Sequence, residues 1–342
     1  MARRPTTQDV AREAGVSVTT VDRALNGRAK VREETMRKIA QAAHKLGYHA
    51  RGLIERNLDA AVPEMTFGFL LIKKNQEFYQ NFARELEQAV AARSDIRGRA
   101  VVRFASSQSP EDFAKGLESL AHCDAIAATA VNHQLMAQVV SDLKQRGVPV
   151  FSLLNDFAQG VRRNYLGMNN MKIGRVAAWM ITKTVPIPGK LAIFVGGNRW
   201  HGHDLREVGF RSFVRENAPS FSVLDTLVNL ETRQLTYEAT LDLLGRHPDL
   251  KGIYVAGGGM EGAIAALREA HASPRVALIV NEVTKESSAA LADGYVLMAI
   301  TTPLPALCAD LVGHMVRSVQ EGDDGIAGQH FLDPHLVLSE ML

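Results

Sequence analysis

Two groups of residues in this 342-residue sequence have the types and spacing to do chemistry. The first is Thr19, Thr20, Asp22, Arg23 and Asn26, which share the outward side of a predicted helix between Ser17 and Gly27. Hydroxyl, amide and guanidinium groups on one helix face can hydrogen-bond base edges and phosphates in a DNA major groove. The second is the run from Gly196 to Arg206, which holds Trp200, His201, His203 and Asp204, together with residues just beyond several apolar runs. Indole, imidazole and guanidinium groups converging in one cleft can stack on and hydrogen-bond a small polyhydroxylated molecule. His201 and His203 beside Asp204 raise the question of zinc. No third ligand of similar spacing appears, so no metal and no cofactor are expected.

Those residues need rigid elements to hold them. Val10, Ala11 and Ala14 place one apolar face on a short helix that Gly15 stops; Ser17 can then N-cap a second helix facing inward through Val18, Val21, Ala24 and Leu25. Two short helices joined by a tight glycine turn form a helix-turn-helix, which lays its second helix in a major groove. A third helix opens at 31–35 and continues through Met36, Ile39, Ala40, Ala43 and Leu46 to Gly47, closing a small core. Arg23, Thr19 and Val18 are expected at base edges, and Ser17, Thr20 and Asn26 nearer phosphates. Thr7 and Arg32 complete the expected DNA contacts, behind a basic arm with Arg3 and Arg4.

Charge distribution agrees with a DNA-binding front end. Residues 1–60 hold 12 Lys/Arg against 7 Asp/Glu, a net of +5, while the whole chain is only +2. A basic module releases counterions from each phosphate it neutralises. With 46% hydrophobic and 22% charged residues the chain is globular, and its length suits two or three domains. Cys123 and Cys308 lie in apolar surroundings and are expected as buried, reduced thiols. No apolar leader or membrane-length run is visible, so a cytoplasmic protein without membrane contact is expected.

From Thr66 onward short apolar runs alternate with amphipathic helices. Strands are predicted at 66–72, 100–105, 125–130, 148–153, 165–168, 191–195, 252–256, 276–280 and 296–300, and helices at 82–92, 135–146, 174–184, 207–217, 233–245 and 260–271. This pattern implies parallel α/β sheets, and its length implies two doubly wound subdomains. The predicted fold is an all-α helix-turn-helix headpiece (1–48), a hinge or linker (49–63) and an α/β effector and dimerisation domain (64–342).

The N-terminal motifs, from Thr6 to Ala11, Ala14 to Ser17 and Thr20 to Gly27, with Leu46-Gly47-Tyr48 after them, resemble the headpiece of the lactose-repressor (LacI/GalR) family. Gly147 to Val150, Tyr165 to Ala178, Arg206 to Phe210 and Ala292 to Gly294 resemble the type I periplasmic sugar-binding fold that this family carries behind it. The resemblance implies three crossings between subdomains, expected near 157–164, 281–286 and 320–330. It also implies a hinge helix over 49–60 with an apolar wedge for the minor groove. Asn57 stands where the wedging leucine normally sits, which leaves Leu58 in a shifted register or Leu53 for that role, or a hinge that bends DNA less.

In open α/β sheets ligands bind beyond the carboxyl ends of the strands. Asn75, Phe78 and Tyr79 follow the first strand and Asn132 the third; Asp156 follows the fourth, where the family places an acidic contact. Trp200, His203 and Arg206 follow the 191–195 strand, and Arg206, three residues before Gly209, matches the family's effector-binding arginine. Gly257 to Gly259 replace the family's usual Asn-Asp, so the backbone at Gly258 is a candidate anion contact. Glu282 and Thr302 complete the expected ligand set. A neutral hexose, a sugar acid, a polyol and an amino-sugar conjugate all remain open.

The expected function is a ligand-responsive transcriptional regulator, a homodimer on a pseudopalindromic operator, with a sugar-like effector. A cytoplasmic solute-binding protein without specific DNA readout is the alternative, which leaves the basic front end unexplained. An enzyme is not expected: there is no Gly-x-Ser-x-Gly, no Walker-type Lys loop, no Cys/His cluster and no G-x-G-x-x-G.

Overall fold

The computed structural model describes residues 3–27, 31–197, 199–272, 275–322 and 328–342. Two compact units emerge, residues 1–65 with 93–98, and 66–92 with 99–342.

The N-terminal unit contains α1 (Thr7–Ala14), α2 (Val18–Asn26), α3 (Glu33–Lys45) and α4 (Arg51–Ala61). Thr6 and Asp9 form a reciprocal capping box on α1, and Gly15 ends it at φ +66°, a conformation that disfavours a side chain. Val10, Ala11, Val21, Ala24, Met36, Ile39, Ala43, Tyr48 and Ile54 make one core. Ile54 belongs to α4, so the segment expected as a hinge or linker is part of this core, and a boundary at 48 would cut the unit.

In the second unit the elements are β1 (Glu64–Leu71), α5 (Glu77–Ala91), β2 (Arg97–Phe104), α6 (Pro110–Glu118), β3 (Ala125–Ala128), α7 (Gln134–Gln145), β4 (Val150–Leu153), β5 (Asn164–Met168), α8 (Asn170–Thr184), β6 (Lys190–Val195) and α9 (His201–Asn217). There follow β7 (Ser222–Val223), β8 (Leu227–Val228), α10 (Arg233–Arg246), β9 (Leu250–Val255), α11 (Met260–Glu269), β10 (Ala277–Asn281), α12 (Lys285–Ala292), β11 (Met298–Thr301), α13 (Leu304–Glu321), β12 (Gly328–Leu332) and β13 (His335–Val337).

These strands form two sheets, β12-β5-β4-β3-β1-β2 and β13-β11-β10-β9-β6-β7, with β8 also beside β6. The first lobe packs α6 and α7 on one face through Phe113, Leu117, Met136, Val140 and Leu143, while α5 and α13 meet on the other. The second lobe packs α8 and α9 against one face and α10 to α12 against the other. Apart from β13, which runs antiparallel to β11, the registered pairs are parallel. In each lobe the strand order reverses beside the first strand, between β1 and β3 and between β6 and β9. Crevices at such reversals are where open sheets bind ligands.

The chain passes between lobes at 168–170, 301–304 and 332–335: four residues past the expected 157–164, well past 281–286, and two residues past 320–330. Segment 157–164 instead stays in the first lobe, because Arg162 pairs with buried Asp156 and Arg163 N–H bonds the Val150 carbonyl, leading the chain into β5. Segment 281–286 turns directly into α12, which Thr284 caps. Of 320–330, residues 323–327 lie outside the described residues, and β12 pairs with β5 in the first lobe.

Candidate functional site

In the N-terminal unit the sequence places a polar surface on α2. Ser17 caps the helix by accepting the Thr20 N–H at 3.2 Å, and its hydroxyl lies 2.8 Å from that of Thr20. Thr19, Arg23 and Asn26 are exposed; Arg23 forms no ion pair among the described residues, and Asn26 donates to the Asp22 carbonyl and carboxylate. Val18 is a correction: it is 43% exposed and outside the core. Its Cβ leans beyond the start of the helix, past the face that Val21 and Ala24 bury. Thr7 opens α1 and is half-buried; Arg32 is exposed before α3.

Asn57 has a role the sequence did not suggest. Its side-chain amide donates to the carbonyls of Ala24 at 2.9 Å and Leu25 at 2.8 Å, closing orphan acceptors in the last turn of α2. The segment is thus a docked helix, with Leu53 46% exposed on it. Leu58 falls in α4, and its side chain lies outside the described residues.

In the second unit a cavity of about 370 Å³ opens between the carboxyl ends of the two sheets. The first lobe contributes Lys73 after β1, Phe78 and Tyr79 from the first turn of α5, Thr129 after β3 and Asn155 after β4. The second contributes Asn170, Trp200, His203, Arg206, Glu231, Gly258, Asn281, Glu282 and Thr302. The stretch 196–206, which falls between the predicted strand at 191–195 and the predicted helix at 207–217, is helical from His201 onward, so His203 and Arg206 project from the first two turns of α9; Asn198 lies outside the described residues.

Three expected ligand residues are not at the cavity. Asn75 is exposed and lines a separate shallow cleft with Ser106 and Gln108, because the turn after β1 aims Lys73 inward instead. Asn132 is exposed, its backbone N–H held by the Arg199 carbonyl; the chain has already left the cavity wall at Thr129. Asp156 is consumed by structure: it takes Arg162 Nε at 2.5 Å and Nη2 at 2.7 Å, Gln329 at 2.9 Å and Ser152 at 2.9 Å. Burial disfavours its charge, but Arg162 and Gln329 prevail and hold the carboxyl below its ordinary range. Asn155, one residue earlier, faces the cavity.

The electrostatic centre is Glu231, after two-residue β8. Lys73 of the opposite lobe pairs with it at 2.7 Å, Gly258 N–H reaches it at 3.2 Å, and His203 Nε2 stands 3.9 Å away. Burial opposes the Glu231 charge, yet Lys73 and the Gly258 N–H bring its pKa net below the usual value. His203 Nδ1 accepts the Gly196 N–H at 3.1 Å, which leaves the proton on Nε2. Burial pulls its pKa down to about 4, so it is neutral at pH 7. Gly258 lines the cavity as expected, but its N–H already holds Glu231 and is not open to a ligand anion.

Arg206 donates Nε to Asn170 at 2.7 Å and Nη1 to the Ala256 carbonyl at 2.6 Å, which locks its guanidinium plane. Its helix sits close to α8 because both glycines at the crossing lack Cβ: one added at Gly174 would overlap the Arg206 carbonyl, one at Gly209 that of Met171. Glu282 accepts the Thr302 hydroxyl at 2.6 Å and N–H at 3.1 Å, and burial raises its pKa. Lys73, Leu154, Glu231 and Glu282 all have φ between +50° and +70° and all line the cavity. Such strain gathers at binding sites. Among the described residues no cluster of His, Cys, Asp or Glu could hold a metal, and no helix is long and apolar enough to cross a membrane.

Comparison with known proteins follows the same division. The family described as "Bacterial regulatory proteins, lacI family" matches residues 6–50, and "Periplasmic binding protein domain" matches 67–323. The HTH-type transcriptional regulator GalS of Salmonella typhimurium is 24% identical over 267 residues, covering 77% of this chain and 75% of that relative. The HTH-type transcriptional regulator GntR of Pseudomonas aeruginosa is 55% identical over 47 residues, 14% of each chain. An ABC transporter periplasmic solute binding protein from Actinobacillus succinogenes, solved with D-allose, superposes with a TM-score of 0.73 at 18% identity, over 81% of this chain and 98% of that one.

Proposed function

Because this chain belongs to the lacI family of bacterial regulatory proteins and carries a periplasmic binding protein domain behind its helix-turn-helix, we propose that it is a cytoplasmic, sugar-responsive repressor that binds a pseudopalindromic operator as a homodimer. Two α2 helices, one from each protomer, enter successive major grooves; Arg23 and Thr19 meet base edges, and Ser17 and Thr20 lie nearer phosphates. The effector is a small polyhydroxylated molecule held between the lobes, with Phe78 and Tyr79 against its apolar face and Arg206 on its hydroxyls. Its preference for one arrangement of the lobes changes operator affinity by the coupling typical of such switches, about 5- to 150-fold.

The observation that supports this most is the exposed α2 surface, where Arg23 is without an ion-pair partner among the described residues, in a chain that also holds a polar two-lobed cavity. Selection of genomic fragments on the purified protein identifies the operator. Arg23→Ala is then expected to weaken specific binding by about 1–3 kcal/mol, while ligand-induced thermal stabilisation is kept. Operator binding unchanged by Arg23→Ala removes the recognition helix from the account. Binding with no sequence preference and little salt dependence favours a solute receptor instead.

A further inference from the structure

We propose that the molecule this cleft is built for carries an amino group, an aminated sugar or aminated polyol whose ammonium sits against Asn281 and Glu282. The inference rests on the cleft being an effector site for a polyhydroxylated molecule and narrows its chemistry.

The wall formed at the ends of β10 and β11 offers acceptors in excess. Asn281 is 6% exposed; its amide donates to the Val255 carbonyl at 2.7 Å, and its Oδ1 is a buried acceptor without a partner among the described residues. Its neighbour Glu282, held at φ +70°, meets among the described residues only the Thr302 hydroxyl and N–H as hydrogen-bond donors. No Lys or Arg among the described residues lies within ion-pair distance of it, and Arg206 acts on it only through space. A carboxylate and an orphan carbonyl on successive residues that both line the cavity call for a group with several donors and a positive charge. An ammonium has three donors and that charge, whereas a hydroxyl has one donor and none.

The features that would receive an acidic ligand are already engaged. Glu231 occupies both the Gly258 N–H and the Lys73 ammonium, so the glycine turn before α11 holds an anion of the protein's own. Arg206 has Nε and Nη1 committed to Asn170 and Ala256. With Glu286 paired to Arg233 outside the cavity, the lining holds four other carboxylates against three cations. A sugar acid would add to the excess, and an amine removes it. Across the cleft, Thr129 also lines the cavity, and its buried hydroxyl has no hydrogen-bond partner among the described residues.

The test is calorimetry on the full chain with matched series in the gluco, galacto and manno configurations: the hexose, the 2-amino-2-deoxyhexose, its N-acetyl derivative and the hexonate. In whichever series binds, the free amine is expected to bind about tenfold or more tighter than the hexose, the size of a charge-assisted hydrogen bond. The N-acetyl derivative, which keeps the nitrogen but not the charge, should lose that advantage, and the hexonate should bind weakest. Glu282→Gln should bring amine and hexose to within about threefold of each other. The ligand-side comparison holds even where that variant folds poorly. A hexose or hexonate that binds as tightly as the amine overturns the inference and leaves the effector reading standing, as does a Glu282→Gln protein that keeps the preference. Absence of binding across all three series overturns the effector reading itself, and this inference with it.

Discussion

His203→Asn turns a buried neutral imidazole into a measurable slope. The side chain is 12% exposed and holds the Gly196 N–H through Nδ1, an acceptor that the asparagine carbonyl can replace. Burial keeps its folded pKa at about 4, against about 6.5 in the unfolded chain. For a base depressed in this way the sign is fixed. Above pH 6.5 neither state takes up the proton and the contribution to stability is complete. Below it the unfolded chain protonates while the folded one resists, so stability falls until about pH 4. Between pH 7 and pH 5 the loss from this group is about 2 kcal/mol. Urea unfolding followed by the fluorescence of Trp200, whose ring centroid lies 6.2 Å from that of His203, is the assay. The variant also loses packing, but that loss is the same at both pH values and drops out of the difference. Glu282, Glu231 and Asp156 titrate in both proteins. The wild-type chain should therefore lose about 2 kcal/mol more than His203→Asn over this interval. Equal losses in the two proteins refute a buried neutral His203.

Asn57→Ala removes both amide bonds to the end of α2 and should destabilise that helix by about 1–2 kcal/mol, visible as faster amide exchange in α2 and weaker operator binding. Gly174→Ala drives a methyl into the Arg206 backbone carbonyl; overpacking of this kind costs about 1–3 kcal/mol, and thermal unfolding should fall together with the response to effector. Asp156→Asn leaves Arg162, 5% exposed, with an uncompensated charge, a loss of about 3–5 kcal/mol. Ligand affinity of the folded protein should hold, since Asp156 faces no part of the cavity, and a selective loss of ligand binding would return Asp156 to the site.

What the residues announced depended on how local the signal was. The headpiece was legible because capping and turn chemistry act within four residues: Ser17 at the start of α2, and Gly15 in a left-handed turn. The parallel strands were legible as Val, Ile and Leu runs buried on both faces. β12 was not, because its alternating Gln329 and His330 belong to a half-exposed edge that exists only where β5 receives it. The crossings were displaced since neither Thr302-Pro303 nor Asp333-Pro334 differs in composition from an ordinary loop. Beyond a strand end, one residue of register decides which side chain meets the ligand. Asn155 faces the cavity while Asp156 does not, and Lys73 does while Asn75 does not. Glu231 was missed because two-residue β8 gives no apolar run to mark it. Asn57 was noticed as a departure, but its partners lie 32 and 33 residues away, a distance that no local pattern encodes.

The final passage through the first lobe carries a consequence for synthesis on the ribosome. β5 is complete at residue 168, yet the strand that closes its outer side begins at residue 328. Until residue 328 and those after it have emerged, that border presents bare amide and carbonyl groups, and the face that α13 will cover stays wet until α13 has been made. Nascent chains therefore pass through a long interval in which a half-built lobe can join a neighbour's strand. Yield should accordingly be sensitive to translation speed and to chaperone supply while the second lobe is being made, even though the finished molecule has that border sealed.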